Sequence, residues 1–232
     1  MLADIRERVD MNALTNANTA APAHGVGLTS SAFPEAKSSQ KGVSVEYVPS
    51  PDRQWYVFRA TYSREQQAVD ILVEQGIYAY LAMGWKLEFR GGKRHRVLRP
   101  LLNLVFAYVT RDEAYTLVRD TPNLSHYLTF YYDHFNIAED YRNPPLTVDE
   151  RSMYSFIRAT AILNEHVMAV SAEQCHFASN EEVRVIYGPF AGVVGRVVRV
   201  ARQQRVAITI RGINALIVTA YIPSPFLEKV HP

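Results

Sequence analysis

The sequence predicts a two-part fold in which an α+β region, with helices covering a sheet, is followed by an all-β region. Between residues 52 and 163, strand-like aromatic segments alternate with amphipathic segments of helical period. From residue 179 to residue 231 the chain contains short β-branched segments separated by turn residues, which is typical of a small closed β-barrel. Residues 164–178 between them are predicted to be a linker.

The composition limits the classes of protein to which this chain can belong. The chain has 232 residues, 48% of them hydrophobic, and a net charge of +2, which does not indicate a strongly basic nucleic-acid binder. A single cysteine, Cys175, excludes an internal disulfide framework and fits a reducing compartment. There is no apolar run near the ~20 residues of a membrane helix and no secretory signal pattern at the N-terminus. We therefore predict a cytoplasmic monomer that makes no membrane contact.

Residues 1–50 are rich in Ala, Asn, Thr, Ser and Pro and show no sustained periodicity. This composition favours a mostly disordered extension. Pro49, Ser50 and Pro51 then mark a boundary before the first predicted domain.

The first domain begins with a strand at residues 55–62, WYVFRATY. Ser63 and Gln66 have the spacing of a capping box, which predicts a helix that ends at Gly76. Two further apolar segments follow, and the basic stretch RGGKRHR between them predicts a hairpin with a Gly-Gly turn.

Two more helices and one strand complete this domain. Thr110 predicts the start of the second helix, and residues 126–132, HYLTFYY, are predicted to be a strand. Thr147 and Glu150 have the spacing of a second capping box, which predicts a closing helix.

The glycines of EEVRVIYGPFAGVVGRVVRV, residues 181–200, do not have phosphate-loop spacing, and a strand rather than a helix follows them. Gly188 and Pro189 instead predict a turn, and Phe190 is predicted to fold back as an apolar plug. Gly192 and Gly195 are predicted to allow a sharp bend. The combination resembles the KOW motif of SH3-like barrels, whose positions here are Val185, Gly188, Pro189, Phe190, Gly192 and Gly195.

The first domain resembles the N-terminal (NGN) domain of NusG-type transcription factors. The stretches QWYVFRATYSREQQAVDILVEQGI and RGGKRHRVLRPLLNLVFAYV carry this resemblance, which with the KOW motif covers residues 53–231. Through FYYDHF, NPPLTV and TAYIPSPF the chain is most similar to the UpxY-type antiterminators. The resemblance implies a factor that binds RNA polymerase and suppresses pausing and premature termination on a long polysaccharide (capsule) biosynthesis operon.

Residues 104–109 are apolar on both faces of their predicted strand, so both faces are expected to be covered. One cover is the helices of the domain. The other is either a further helix of the same domain or a partner, and the resemblance implies the clamp helices of RNA polymerase. It assigns that contact to Leu101, Leu104 and Phe106, with Tyr56 as a weaker candidate.

The predicted hairpin carries six basic residues against one acidic residue, Glu88. Such a cluster is either a solvated face or a contact for non-template DNA or the upstream duplex. The candidate nucleic-acid-binding residues are Lys93, Arg94, His95 and Arg96. Trp85 and Phe89 lie close enough in sequence to stack on bases.

Several functions remain open for the second domain. The resemblance implies that it recruits a ribosomal protein or Rho, while nucleic-acid binding and docking on the first domain are alternatives. The alternative for the whole chain is a KOW-type RNA-binding or ribosome-associated protein. Cys175-His176 and Asp133-His134 form no catalytic or metal-ligand pattern, so we predict neither an enzyme nor a cofactor.

Overall fold

A computed structural model describes residues 33–136, 143–164, 166–171, 175–200, 202–213 and 216–230. Its architecture is mixed α/β, as the sequence predicts for the chain. The helices are α1 (Glu65–Glu74), α2 (Arg111–Arg119) and α3 (Glu150–Ala161). The strands up to α3 are β1 (Ala36–Lys37), β2 (Ser44–Val45), β3 (Gln54–Ala60), β4 (Ala79–Tyr80), β5 (Met83–Arg90), β6 (Lys93–Pro100), β7 (Leu104–Val109), β8 (Leu128–Phe130) and β9 (Thr147–Val148). The later strands are β10 (Met168–Val170), β11 (His176–Val185), β12 (Val194–Val200), β13 (Gln203–Thr209), β14 (Leu216–Val218) and β15 (Leu227–Lys229).

A five-stranded sheet organises the first region. Its order is β4-β7-β3-β8, and β9 also pairs with β3. All six residues of β7 are buried, which confirms the prediction that both faces of this strand are covered. Part of the cover is α3, because the Phe106 ring lies 4.9 Å from the Phe156 ring, centroid to centroid.

Of the three helix starts predicted from capping patterns, one is observed and two are not. Thr110 caps α2 as predicted: its Oγ1 accepts from the Glu113 amide (3.2 Å), and the Glu113 carboxylate accepts from the Thr110 amide (2.8 Å). The predicted box at Ser63 is wrong, because Ser63 has a left-handed φ of 55° and α1 starts after Arg64. The predicted box at Thr147 is also wrong. That residue pairs with β3, so Asp149 caps α3 instead.

Residues 33–50, here named the N-terminal strap, pack on the first sheet, so the predicted disorder is wrong for this segment. The strap contains the β1–β2 pair, and Tyr47 at its far end is 1% exposed. Its polar residues bind α1: the Ser39 amide donates to the Asp70 carboxylate (2.8 Å), and Lys41 forms an ion pair with Glu74 (2.7 Å). Residues 1–32 lie outside the described residues.

Strands β5 and β6 form a two-stranded sheet of their own, here named the ribbon. Its turn is Gly91-Gly92, with φ of 55° and 75°, which confirms the predicted hairpin. Two consecutive positive φ angles are those of a tight turn that matches the twist of the flanking strands. The ribbon base packs against the β6–β7 connection, because a Cβ at Gly84 would collide with the Leu101 side chain.

The second region is a six-stranded antiparallel sheet of order β10-β14-β13-β12-β11-β15. Within the described strands no pairing joins β10 to β15, so the predicted closure into a barrel is not observed. The predicted linker is also partly wrong, since β10 within it pairs with β14. Gly188 has a φ of 83°, as the predicted turn requires, and Phe190 is 5% exposed.

Helix α3 joins the two regions. The Arg158 guanidinium donates to the Ala191 carbonyl (3.0 Å), and the Val194 amide donates to the Ser155 hydroxyl (3.2 Å). The turn after β13 packs closely against the first region, because a Cβ at Gly212 would collide with the Leu146 side chain. One hydrophobic core therefore includes buried residues from both regions.

Candidate functional site

A groove of about 740 Å³ lies beside the start of β7 and is here named the β7 groove. Its apolar residues come from β3, from the β6–β7 connection, from β7 and from the second region. They are Ala60, Leu101, Leu102, Leu104 and Ile213. Tyr62 and Tyr131 add two aromatic side chains.

Of the four residues predicted to bind polymerase, two line the β7 groove and two do not. Leu101 is half-buried, Leu104 is 5% exposed, and both line the groove. Phe106 is fully buried against Phe156, so α3 covers it and it offers no surface to a partner. Tyr56 pairs with Ala107, which places it on the sheet face opposite to Phe106. The predicted contact role is therefore wrong for Phe106, and Tyr56 lies outside the groove.

Tyr62 was not singled out by sequence reasoning, yet it is the most exposed aromatic residue among those described, at 82%. Tyr62 and Ser63 have consecutive left-handed φ angles of 61° and 55°. Such conformations cost about 1–3 kcal/mol each for non-glycine residues and cluster at functional sites. The preceding residue anchors the turn, since the Thr61 amide donates to the Tyr127 carbonyl (2.9 Å).

Glu65, in the first turn of α1, also lines the groove and is 5% exposed. Arg59 also lines the groove, so its lining contains one residue of each charge. The N-terminus of α1 favours a negative charge at the position of Glu65. The groove is therefore partly apolar, with one acidic and one basic residue beside its leucines.

The basic residues of the hairpin lie on two different faces of the ribbon. Arg94 pairs with Phe89, and Arg96 pairs with Leu87. Side chains of directly paired residues point to the same face, so these two arginines share a face with the apolar residues of β5. Trp85, Leu87, Phe89, Arg94, Arg96 and Leu98 form what is here named the aromatic face.

Lys93 and His95 lie on the opposite side, here named the charged face, because they pair with Arg90 and Glu88. The Glu88 carboxylate accepts from Arg99 Nε (2.8 Å) and from the Arg90 guanidinium (3.0 Å). The hydrogen bond from Arg99 is the main cause of a lowered Glu88 pKa. The predicted set of four basic residues is thus split into two pairs with different surroundings.

The residues named as weak catalytic candidates make structural contacts. Burial raises the pKa of the Cys175 thiol, and Asp133 accepts a hydrogen bond from the Phe135 amide (2.9 Å). Within the described ranges, no group of three or more His, Cys, Asp and Glu side chains is placed to hold a metal ion. No helix in the described part of the chain is long and apolar enough to cross a membrane.

The span that contains the groove and the ribbon matches a known family. Residues 53–157 match the family model NusG, described as transcription termination factor nusG. This span is NusG-like. It runs from β3 into α3 and includes every groove residue named above except Ile213, which comes from the second region. The strap and the six-stranded sheet lie outside the match. No curated protein matches the chain.

Proposed function

We propose that this protein is a transcription elongation and antitermination factor that binds RNA polymerase through the β7 groove and suppresses pausing and premature termination. The observation that carries the proposal is that a NusG-like span contains an open, partly apolar groove beside its central strand. Binding, rather than covalent chemistry, would produce the effect, since a factor that bridges the clamp across the DNA channel favours the elongating state of polymerase.

The chemistry of the groove fits the tip of the polymerase clamp helices. Leu101 and Leu102 offer half-buried apolar surface, and Tyr62 offers a large exposed ring at the edge. Aromatic residues of this kind are frequent energetic hot spots in interfaces. Glu65 and Arg59 both line the groove and would make the charged contacts with the partner.

The finer parts of the proposal rest on sequence resemblance. The UpxY-like stretches favour action on a long capsule-polysaccharide operon in the cytoplasm. The KOW-like motif in the second region favours recruitment of a ribosomal protein or Rho. Basic residues of the ribbon would add a weak contact with non-template or upstream DNA.

Replacing Tyr62 by asparagine is expected to weaken capture of core RNA polymerase by about 10-fold or more. Asparagine tolerates a left-handed φ, so the turn should keep its shape and the urea midpoint should not change. Binding is measured as a titration of purified host core polymerase against immobilised protein. Tyr221→Asn is the matched control, because Tyr221 is also an exposed tyrosine (58%) but lies in the second region.

Equal polymerase affinity for wild type, Tyr62→Asn and Leu102→Glu would remove the groove from the binding site. A wild-type protein that ignores polymerase but binds RNA or ribosomes would favour the RNA-binding alternative. If binding is as expected, single-round transcription over a terminator should show more readthrough with wild type than with Tyr62→Asn.

A further inference from the structure

The β7 groove is built from both regions of the chain. Leu101, Leu102 and Leu104 line it from the first region, and Ile213 lines it from the second. Ile213 is 8% exposed, because it also belongs to the hydrophobic core that the two regions share. A partner that fills the groove would therefore touch the second region as well as the first.

A single tight turn places Ile213 at the groove. The Ile213 amide donates to the Ile210 carbonyl (3.1 Å), which closes a four-residue turn, and Gly212 has a left-handed φ of 91° at its third position. A positive φ at that position favours glycine. The turn approaches the first region so closely that a Cβ at Gly212 would lie 2.5 Å from a methyl carbon of Leu146. Ile213 therefore reaches the groove only while this turn is packed on the first region.

The outer face of α3 holds the second region in this position. Arg151, Ser155 and Arg158 are spaced four and three residues apart, so they share one face of the helix, and each contacts the second region. Ser155 accepts from the Val194 amide (3.2 Å), and Arg158 donates to the Ala191 carbonyl (3.0 Å). Because these are directional bonds to backbone groups, they favour one docked arrangement of the two regions.

The connection between the two regions is short and is attached to the second sheet. Residues 162–167 separate the end of α3 from the start of β10. Arg205, which is 4% exposed, donates to the His166 carbonyl (2.6 Å) within this connection. A short tether keeps the two regions at a high effective concentration, so the contacts of α3 are enough to maintain docking.

We propose that the β7 groove is a composite binding site, complete only when the two regions are docked, so that docking promotes the binding of polymerase. This inference rests on the proposed function, because it takes polymerase as the occupant of the groove. A partner that contacts Leu102 and Ile213 together prefers the docked state, and by linkage its binding stabilises docking to the same extent. The second region then forms part of the polymerase-binding surface.

Gly212→Asn separates docking from the folding of each region. Asparagine tolerates a left-handed φ, so the turn should form, but its Cβ would collide with Leu146, which is 2% exposed and has little room to move. Gly76→Asn is the matched control, because Gly76 also has a left-handed φ (77°) and has open space around it. Docking in the full-length protein is measured by hydrogen exchange of the Val194 amide, which binds Ser155 across the two regions.

We expect Gly212→Asn to speed exchange of the Val194 amide and to weaken capture of core polymerase about 5- to 150-fold, the usual range for coupled sites. Gly76→Asn should match wild type in both measurements, and bound polymerase should slow Val194 exchange in wild type. Adding Leu146→Ala to Gly212→Asn removes the colliding side chain and should restore part of the polymerase affinity. If the loss came from general instability, this second, cavity-forming substitution would increase it.

Faster Val194 exchange in Gly212→Asn with unchanged polymerase affinity would overturn the inference, because the first region alone would then form the site. Tighter binding by Gly212→Asn would also overturn it, since docking would then oppose polymerase. Ile213→Ala removes the groove contact of the second region directly, so wild-type affinity of that variant would contradict a composite site even if Gly212→Asn leaves docking intact. Failure of the proposed function is recognised separately: wild type would not capture polymerase, although Gly212→Asn would still change Val194 exchange, and the inference would fall with it.

Discussion

Replacing Tyr47 by alanine is expected to lower the free energy of unfolding by about 3–5 kcal/mol, the range for truncating a buried aromatic residue. The Tyr47 ring lies 4.2 Å from the Phe33 ring and 4.7 Å from the Tyr108 ring, centroid to centroid. Its hydroxyl donates to the Glu150 carboxylate at the start of α3 (2.6 Å). Burial raises the Tyr47 pKa well above its usual range, so the phenol keeps the proton that it donates. Urea unfolding followed by circular dichroism measures the loss.

Val48→Ala is the control for this variant, because Val48 adjoins Tyr47 but is 65% exposed. Its effect should remain within about 0.5 kcal/mol of wild type. A small and equal effect of the two substitutions would show that the strap does not contribute to the core.

The strap shows why composition misled the sequence prediction. An average over residues 1–50 is dominated by small and polar residues, but folding of residues 33–50 depends on a few aromatic positions. The contact between Tyr47 and Glu150 joins residues 103 positions apart, so no local window contains it. Burial of the Tyr47 ring supplies free energy that offsets the entropy of ordering the strap.

Short-range sequence patterns predicted two local structures correctly. The Thr110 cap and the Gly91-Gly92 hairpin depend on residues within four positions of each other, and both are observed. Ser63 has the right sequence for a cap but sits in a left-handed turn. Thr147 has the right spacing but is held in the sheet by β3. Tertiary structure decides both of these cases.

The candidate sites also depend on tertiary contacts that the sequence does not reveal. Burial of β7 could be predicted from its apolar pattern, but the helix that covers Phe106 could not. Ile213 joins the groove from the second region, more than 100 residues after Leu104, and no sequence signal indicates that approach. The two faces of the ribbon, in contrast, were predictable, because a two-residue turn fixes the register and side chains alternate along each strand.

The substitution Leu104→Asp is expected to unfold the first region rather than to act as a clean binding-site variant. Leu104 is 5% exposed and pairs with Arg59 in the ladder between β7 and β3. Loss of a buried leucine costs about 2–5 kcal/mol, and an unpaired buried carboxylate adds to that cost. A domain with about 5–15 kcal/mol of stability retains little margin after such a change. The far-ultraviolet circular dichroism and the urea midpoint should both show the loss.

Two further variants show how much of the stability loss comes from the charge of the aspartate and how much from the buried position. Leu104→Asn has nearly the shape of Leu104→Asp without the charge, so it should be the more stable of the two, and the difference measures the cost of the buried carboxylate. Leu87→Asp makes the same change where leucine is 61% exposed and should alter stability by only about 0.5 kcal/mol. If Leu104→Asp instead unfolds at the wild-type urea concentration yet no longer captures polymerase, then Leu104 contacts the partner directly, and the floor of the β7 groove must open when polymerase binds.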